Sequence, residues 1–170
     1  MVYVYRAWNS AMATTAAQAK VTTGTSIKTM LQLATPATVP IKVLSWGYSL
    51  DAAPSSASVV ELLQTDVAAT VTAHVAAGVQ PTDGNSPASR LTLGTTATGF
   101  TSGGTEGTIT ATRCFDVVEI SGPTNGDDQL TYRMVFTPLE RPIIPVSKFL
   151  RVRATFGAAV NMACWICWEE

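Results

Sequence analysis

The closing stretch of the chain, 148-KFLRVRATFGAAVNMACWICWEE-170, decides the fold class. In its first half Leu150, Val152, Ala154 and Phe156 alternate with Phe149, Arg151, Arg153 and Thr155, the period-two pattern of a half-buried strand. Gly157-Ala158 then reads as a two-residue hairpin loop of type II′, with the glycine at positive φ. In the second half Val160, Met162, Cys164, Ile166 and Trp168 form one face, while Ala163, Trp165 and Cys167 leave the other face apolar as well. A strand apolar on both faces is covered on both faces, so it is either central in its sheet or buried by a partner.

Working outward, the rest of the chain shows the same β grammar. Residues 2–8 (VYVYRAW) predict a short edge strand. Ile27, Thr29, Leu31 and Leu33 mark a strand, and Leu44, Trp46, Tyr48 and Leu50 mark one face of a longer one. Residues 58–64 add another. Ile109 to Val117 and Val118 to Ile120 hold opposite phases, which predicts a bulge. Residues 122–129 (GPTNGDDQ) form a turn, followed by alternating Leu130, Tyr132, Met134 and Phe136. The segment PLERPIIPVS is an extended crossover, since proline has no place in a central strand. Residues 14–21 favour a short helix capped by Thr14 or Thr15. Residues 66–79 are mixed in character, and residues 80–107 read as a long surface excursion with one strand at 90–93. About eight strands without a repeated βα unit give an all-β, single-domain antiparallel β-sandwich. Alternating long crossovers favour a jelly roll, with an N-terminal arm and helix over 1–24 and the sandwich over 25–170. An immunoglobulin-like sandwich is the rival topology.

Composition narrows the function. Hydrophobic residues make 46% of the 170 residues and charged residues 14%, against about 25% charged in ordinary soluble domains. A surface of hydroxyls and methyls suits permanent contact with other subunits, because little charge must be desolvated there. The net charge of −1 argues against a nucleic-acid partner. No apolar run approaches the ~20 residues of a membrane span, and the N-terminus lacks a signal-peptide core. The chain therefore reads as one made in the cytoplasm.

Chemistry finds little support. There is one histidine, His74, which restricts acid–base chemistry and excludes a several-histidine metal site. Cys164-Trp165-Ile166-Cys167 matches C-x-x-C, yet on a strand positions i and i+3 point to opposite faces, and no helix follows to lower a thiol pKa. A Cys114, Cys164, Cys167 and His74 zinc set would need a turn at 164–167, so three buried, reduced thiols are expected instead. Asn125-Gly126-Asp127-Asp128 lacks the regular spacing of a calcium loop. The expectation is no enzyme, no catalytic residue, no cofactor and no metal. Arg151 and Arg153, with Arg133, Arg141 and Lys148 near in sequence, suggest a basic strip for an acidic protein surface.

The runs KTMLQLATPATVPIKVLSWGYSLD (28–51), VELLQTDVAATVTAHV (60–75) and RPIIPVSKFLRVRATFGAAVNMACWICWEE (141–170) resemble small virion proteins of tailed bacteriophages. The resemblance implies a jelly-roll subunit, oligomeric and often trimeric, seated on a coat lattice, with no active-site residues to carry over. The expected function is a structural virion protein that decorates and cements the capsid as a homo-oligomer, its partners the major capsid protein or other virion subunits, with no nucleic acid and no membrane. The expected location is the virion, assembled in the host cytoplasm. Tyr3, Tyr5, Trp8, Arg151, Arg153, Ala163, Trp165 and Cys167 are the expected contact residues. The alternative is a carbohydrate-binding jelly-roll module of a head fibre or receptor-binding subunit.

Overall fold

The computed structural model describes residues 2–12, 15–102, 105–122 and 130–170. It is an all-β sandwich of two antiparallel sheets. Its strands are β1 (Val4–Trp8), β2 (Val21–Thr22), β3 (Ile27–Ala34), β4 (Ile41–Leu50), β5 (Ser58–Thr65), β6 (Val71–Ala73), β7 (Val79–Pro81), β8 (Gly99–Ser102), β9 (Thr112–Ile120), β10 (Thr131–Val135), β11 (Ile143–Ile144), β12 (Phe149–Thr155) and β13 (Asn161–Glu169). Sheet I runs β10-β4-β13-β1-β7, with β11 on β4 and β2 on β13; sheet II runs β6-β8-β3-β12-β5-β9. These orders are compatible with a jelly roll.

β13 is central, flanked by β4 and β1. Its inner face Met162, Cys164, Ile166 and Trp168 is wholly buried, as the alternation requires. The expected hairpin does not form. β12 pairs with β3 and β5 in sheet II, so residues 156–160 cross from one sheet to the other. The two strands face each other through the core with Leu150, Val152, Ala154 and Phe156 buried opposite the β13 set. Each strand thereby gains two hydrogen-bonded neighbours in its own sheet, which a terminal hairpin would not give it. Gly157 is not among the glycines at positive φ. It is required for another reason: a Cβ there would lie 2.6 Å from Ser56 Oγ.

Three other expectations change. β1 is not an edge strand, because β7 covers its free side, and Pro81 at the end of β7 suits the true edge. No helix forms over 15–21, where the only regular element is β2; Val21 and Thr22 extend β13 pairing instead. Thr14 and residues 123–129, with the Asn125–Asp128 loop, lie outside the described residues. In β4 the register slips between Cys167 and Trp168 of β13, which pair with Ser45 and Val43. Leu44 is thus an extra, half-buried residue, and the inner phase runs Ile41, Val43, then Trp46, Tyr48, Leu50. The bulge expected between Val117 and Val118 is not there, since Glu61–Val117 and Val60–Val118 pair in unbroken register; β9 bulges instead at Phe115, the extra residue between the pairs Leu62–Asp116 and Leu63–Cys114.

The mixed stretch 66–79 contains a short strand and a turn, and the surface excursion expected over 80–107 is shortened by strands at Val79–Pro81 and Gly99–Ser102. Val71–Ala73, a 3-10 turn at Ala76–Gly78 and Val79–Pro81 carry the chain from sheet II to sheet I. Residues 90–93 contribute only isolated bridges, and the strand falls at Gly99–Ser102. His74 joins the sheets at this end: its Nε2 is 2.8 Å from the Trp8 carbonyl oxygen, and its ring packs on Phe100 at 4.7 Å. A carbonyl only accepts, so Nε2 carries the proton. Burial pulls the His74 pKa down, with the Trp8 hydrogen bond opposing. At the other end Asp116 of β9 accepts from Trp46 Nε1 (3.0 Å) and Tyr132 Oη (2.8 Å) of sheet I. Burial and then Asp116 push the Tyr132 phenol up to about 12.

Candidate functional site

The two outer faces of the sandwich are finished differently. On sheet II, Arg151 and Gln32 stand opposite each other, as do Arg153 and Thr29. Residues 66–69, 97 and 106 lie over them. Gln32 donates to the Ala97 and Ala69 carbonyls and accepts from Ala69 N–H. Arg151 is 0% exposed. Its guanidinium donates to the Glu106 carboxylate (3.2 Å), the Glu106 carbonyl (3.1 Å) and the Val67 carbonyl. Thr29 N–H donates to the same carboxylate at 2.7 Å. Burial pulls the Arg151 pKa down and Glu106 pushes it back. Arg153 is paired with Glu61, directly opposite on β5, at 2.9 Å. Arg151 therefore cannot belong to a solvated basic strip, and Arg153 is already neutralised. The alternation placed both on the outer face correctly; what it could not reveal was that the loops fold down over that face.

Among the described residues, sheet I's outer face carries no such cover. Pairing register sets its rows. Arg133, Gly47, Trp165 and Trp8 form one row across β10, β4, β13 and β1. Val135, Ser45, Cys167, Arg6 and Gln80 form the next, reaching β7. Thr131, Ser49 and Ala163 form a third. Directly opposed residues of antiparallel strands share a face, so these side chains all point away from the core. Gly47 is decisive. A Cβ there would lie 2.5 Å from the Tyr132 carbonyl oxygen and 3.1 Å from the Trp165 ring, so the missing side chain is what lets the indole settle over β4. Arg6 lies over that indole at 4.8 Å and Arg133 at 5.8 Å, with Trp8 beside it at 6.3 Å. Together with Ser49, Thr131 and Ala163 they line an open groove of about 330 Å³.

Of the expected contact residues, Trp8, Ala163 and Trp165 come together on this groove. Cys167 shares the face but is buried, in register with Arg6; burial raises the thiol's pKa while the neighbouring Arg6 charge opposes. Tyr5 is a correction. It points into the core, stacks on Trp168 at 6.0 Å and donates to the Pro87 carbonyl at 3.0 Å. Tyr5 and Trp8 lie three positions apart on one strand, so they cannot share a face. Tyr3 is half-buried against the core edge. Sequence reasoning missed Arg6 and Gly47. The alternation of Val4, Arg6 and Trp8 was visible, but Gly47 gains meaning only from its register with Trp165.

The three cysteines are separate. Cys164 is in the core, its pKa raised well above the ordinary value by burial; Cys167 is on the opposite face; Cys114 is exposed on β9, contrary to the expectation of a buried thiol. Among the described residues, no three His, Cys, Asp or Glu side chains gather where they could hold a metal. No helix among them is long and apolar enough to cross a membrane. Comparison with known proteins returns no matching family model, curated protein or solved structure.

Proposed function

We propose that the protein is a non-enzymatic structural subunit of a tailed-phage virion, decorating the capsid as a homo-oligomer, with the outer face of sheet I as its contact surface. The observation that carries this reading is the unequal finish of the two faces. Over β3 and β12 sheet II is covered by the chain's own loops, with Val117 of β9 left exposed beyond them, whereas sheet I presents Trp8 and Trp165 in the open groove. Beside them Val135 and Ile143, both on the free side of β4, are 59% and 52% exposed, and Leu139 on the adjoining crossover is 99% exposed. Contiguous exposed apolar residues of this kind mark contact with another macromolecule. With about 25 cal/mol per Å² of apolar area buried, a modest patch repeated over a lattice accumulates substantial stabilisation, offset in part by ordering costs.

The carbohydrate-binding alternative needs a free aromatic face for a sugar ring, and Trp165 is already covered by guanidinium groups. The test is co-sedimentation with undecorated phage capsids, with analytical ultracentrifugation of the free protein. Saturable sedimentation that is lost in Trp165→Glu supports the reading; a monomer that never sediments with any coat lattice defeats it.

A further inference from the structure

We infer that Arg6 and Arg133 form a carboxylate-binding fork over Trp165, whose occupant is an acidic side chain of the partner protein. The inference rests on the reading of sheet I's outer face as the contact surface and names the chemistry of what docks there.

Three observations carry it. First, charge in this chain is sparse, and five of its eleven basic side chains are already paired: Arg151 with Glu106, Arg153 with Glu61, Lys42 and Arg141 with Glu169, and Lys20 with Asp51. Among the described residues no ion pair involves Arg6 or Arg133 and no carboxylate lines the groove. Second, both guanidiniums are gathered on the same indole, at 4.8 and 5.8 Å. Indole attracts each of them, but their like charges repel. An anion placed against both relieves that repulsion and accepts charge-assisted hydrogen bonds. Third, Arg6 has unspent donor capacity: its Nε is buried with no hydrogen-bond partner among the described residues, while it stands beside Cys167 in the register, and the absence of a side chain at Gly47 lets Trp165 settle beneath the two guanidiniums.

The groove's form selects the ligand. It lies on a sheet face whose backbone N–H groups are engaged in the ladders, so it offers guanidinium donors without the cluster of amides that cradles a phosphate. Planar guanidinium matches a two-oxygen carboxylate. A pyranose would have to displace an arginine to reach the indole. A protein carboxylate satisfies the donors and leaves Trp8, Trp165 and Val135 to pack against apolar surface beside it.

The test is calorimetric titration of the full chain with poly-L-glutamate at low salt, with hyaluronate and inorganic phosphate as separate arms. The Arg6→Gln/Arg133→Gln double variant is compared with Lys20→Gln/Arg90→Gln, which removes the same charge elsewhere. Poly-L-glutamate should bind wild type and the control alike and bind the fork variant at least about tenfold more weakly. Melting temperatures of all three chains confirm that they are folded. Equal weakening in both variants, no binding by wild type, or hyaluronate or phosphate binding as tightly as poly-L-glutamate overturns the inference. Capsid co-sedimentation separates it from the reading beneath it. If wild type binds poly-L-glutamate through the fork but never sediments with a coat lattice, the virion reading fails and the fork stands. If the fork variant sediments as wild type does, the fork fails and the docking face stands.

Discussion

Arg151 and Arg133 both project from the outer face of a sheet, yet their surroundings are opposites. Arg151 is roofed by the chain and held by Glu106, Thr29 and Val67. Arg133 is exposed, rests near an indole and has no carboxylate partner among the described residues. An outer position on a strand therefore does not determine exposure; what the intervening loops do decides it. On sheet II a charge serves to fasten the chain's own cover, and on sheet I it remains available to another molecule.

The sharpest way to break this comparison is to remove the carboxylate from the covered side. Glu106→Gln leaves a buried guanidinium without its counter-charge, and arginine cannot escape by losing its proton. Unfolding free energy should fall by about 3–5 kcal/mol, a large share of the ~5–15 kcal/mol typical of a domain. Urea denaturation measures it. A loss under ~1 kcal/mol would mean that water reaches Arg151 and that the roof is loose. Replacing both partners, Arg151→Met with Glu106→Leu, should recover only part of the loss: the unpaired charge is gone, but the Val67 carbonyl and Thr29 N–H lose their partners.

Next in size is Gly47→Val on the open side. Its side chain would press on the Tyr132 carbonyl and displace Trp165. Overpacking costs about 1–3 kcal/mol, and the movement of Trp165 should alter near-ultraviolet circular dichroism. An unchanged spectrum and melting temperature would show that the indole does not depend on the gap at Gly47.

The joint between the sheets yields a pH effect. His74 is held neutral by burial, with a folded pKa below its ordinary 6.5. Above pH 6.5 it is neutral in both states and contributes no pH dependence. As pH falls below 6.5 the unfolded chain takes up a proton that the folded one refuses, so stability falls until the folded pKa is passed. The slope cannot exceed about 1.4 kcal/mol per pH unit. The carboxylates act lower: hydrogen bonds from Thr110 and Ala111 hold Asp66 down at about 2, so its contribution is lost only as pH falls below its ordinary 3.8. Stability measured between pH 7 and pH 5 should therefore decline in the wild type and stay flat in His74→Gln. A decline of equal size in that variant would assign the effect to another group.

The fold class was legible from alternation alone. The inner faces of β12 and β13 and the phase of β10 follow from period two, because burial of one face is a local constraint; the β9 bulge was expected two to three residues from where it lies. Sheet membership was not legible. Gly157-Ala158 offers the same residues to a hairpin as to a crossover, and only the competing partners β3, β5, β4 and β1 decide. The candidate site was half legible for a similar reason. Trp165 and Trp8 announce themselves as apolar residues on an outward phase. Arg6, Gly47 and Arg133 come from three different strands, and their meeting depends on register across sheet I. The roof over Arg151 depends on residues 66–69 and 106, whose small and polar side chains carry no periodic signal.

The smallest predicted effect is the one that sharpens the comparison most. Arg133→Gln removes a cation near an indole at an exposed position, an attraction of roughly 0.5–1 kcal/mol. It also removes the repulsion between Arg133 and Arg6, which offsets part of that loss. The net change in unfolding free energy should lie within about 0.5 kcal/mol of zero, while Arg151→Gln strands the Glu106 carboxylate and costs several kcal/mol. Denaturation midpoints of the two variants, measured side by side, give the ratio directly. Should Arg133→Gln cost more than ~2 kcal/mol, the groove over Trp165 is part of the structural frame. Its arginines would then be fastenings of the chain itself, as Arg151 is, and would not be free for a partner.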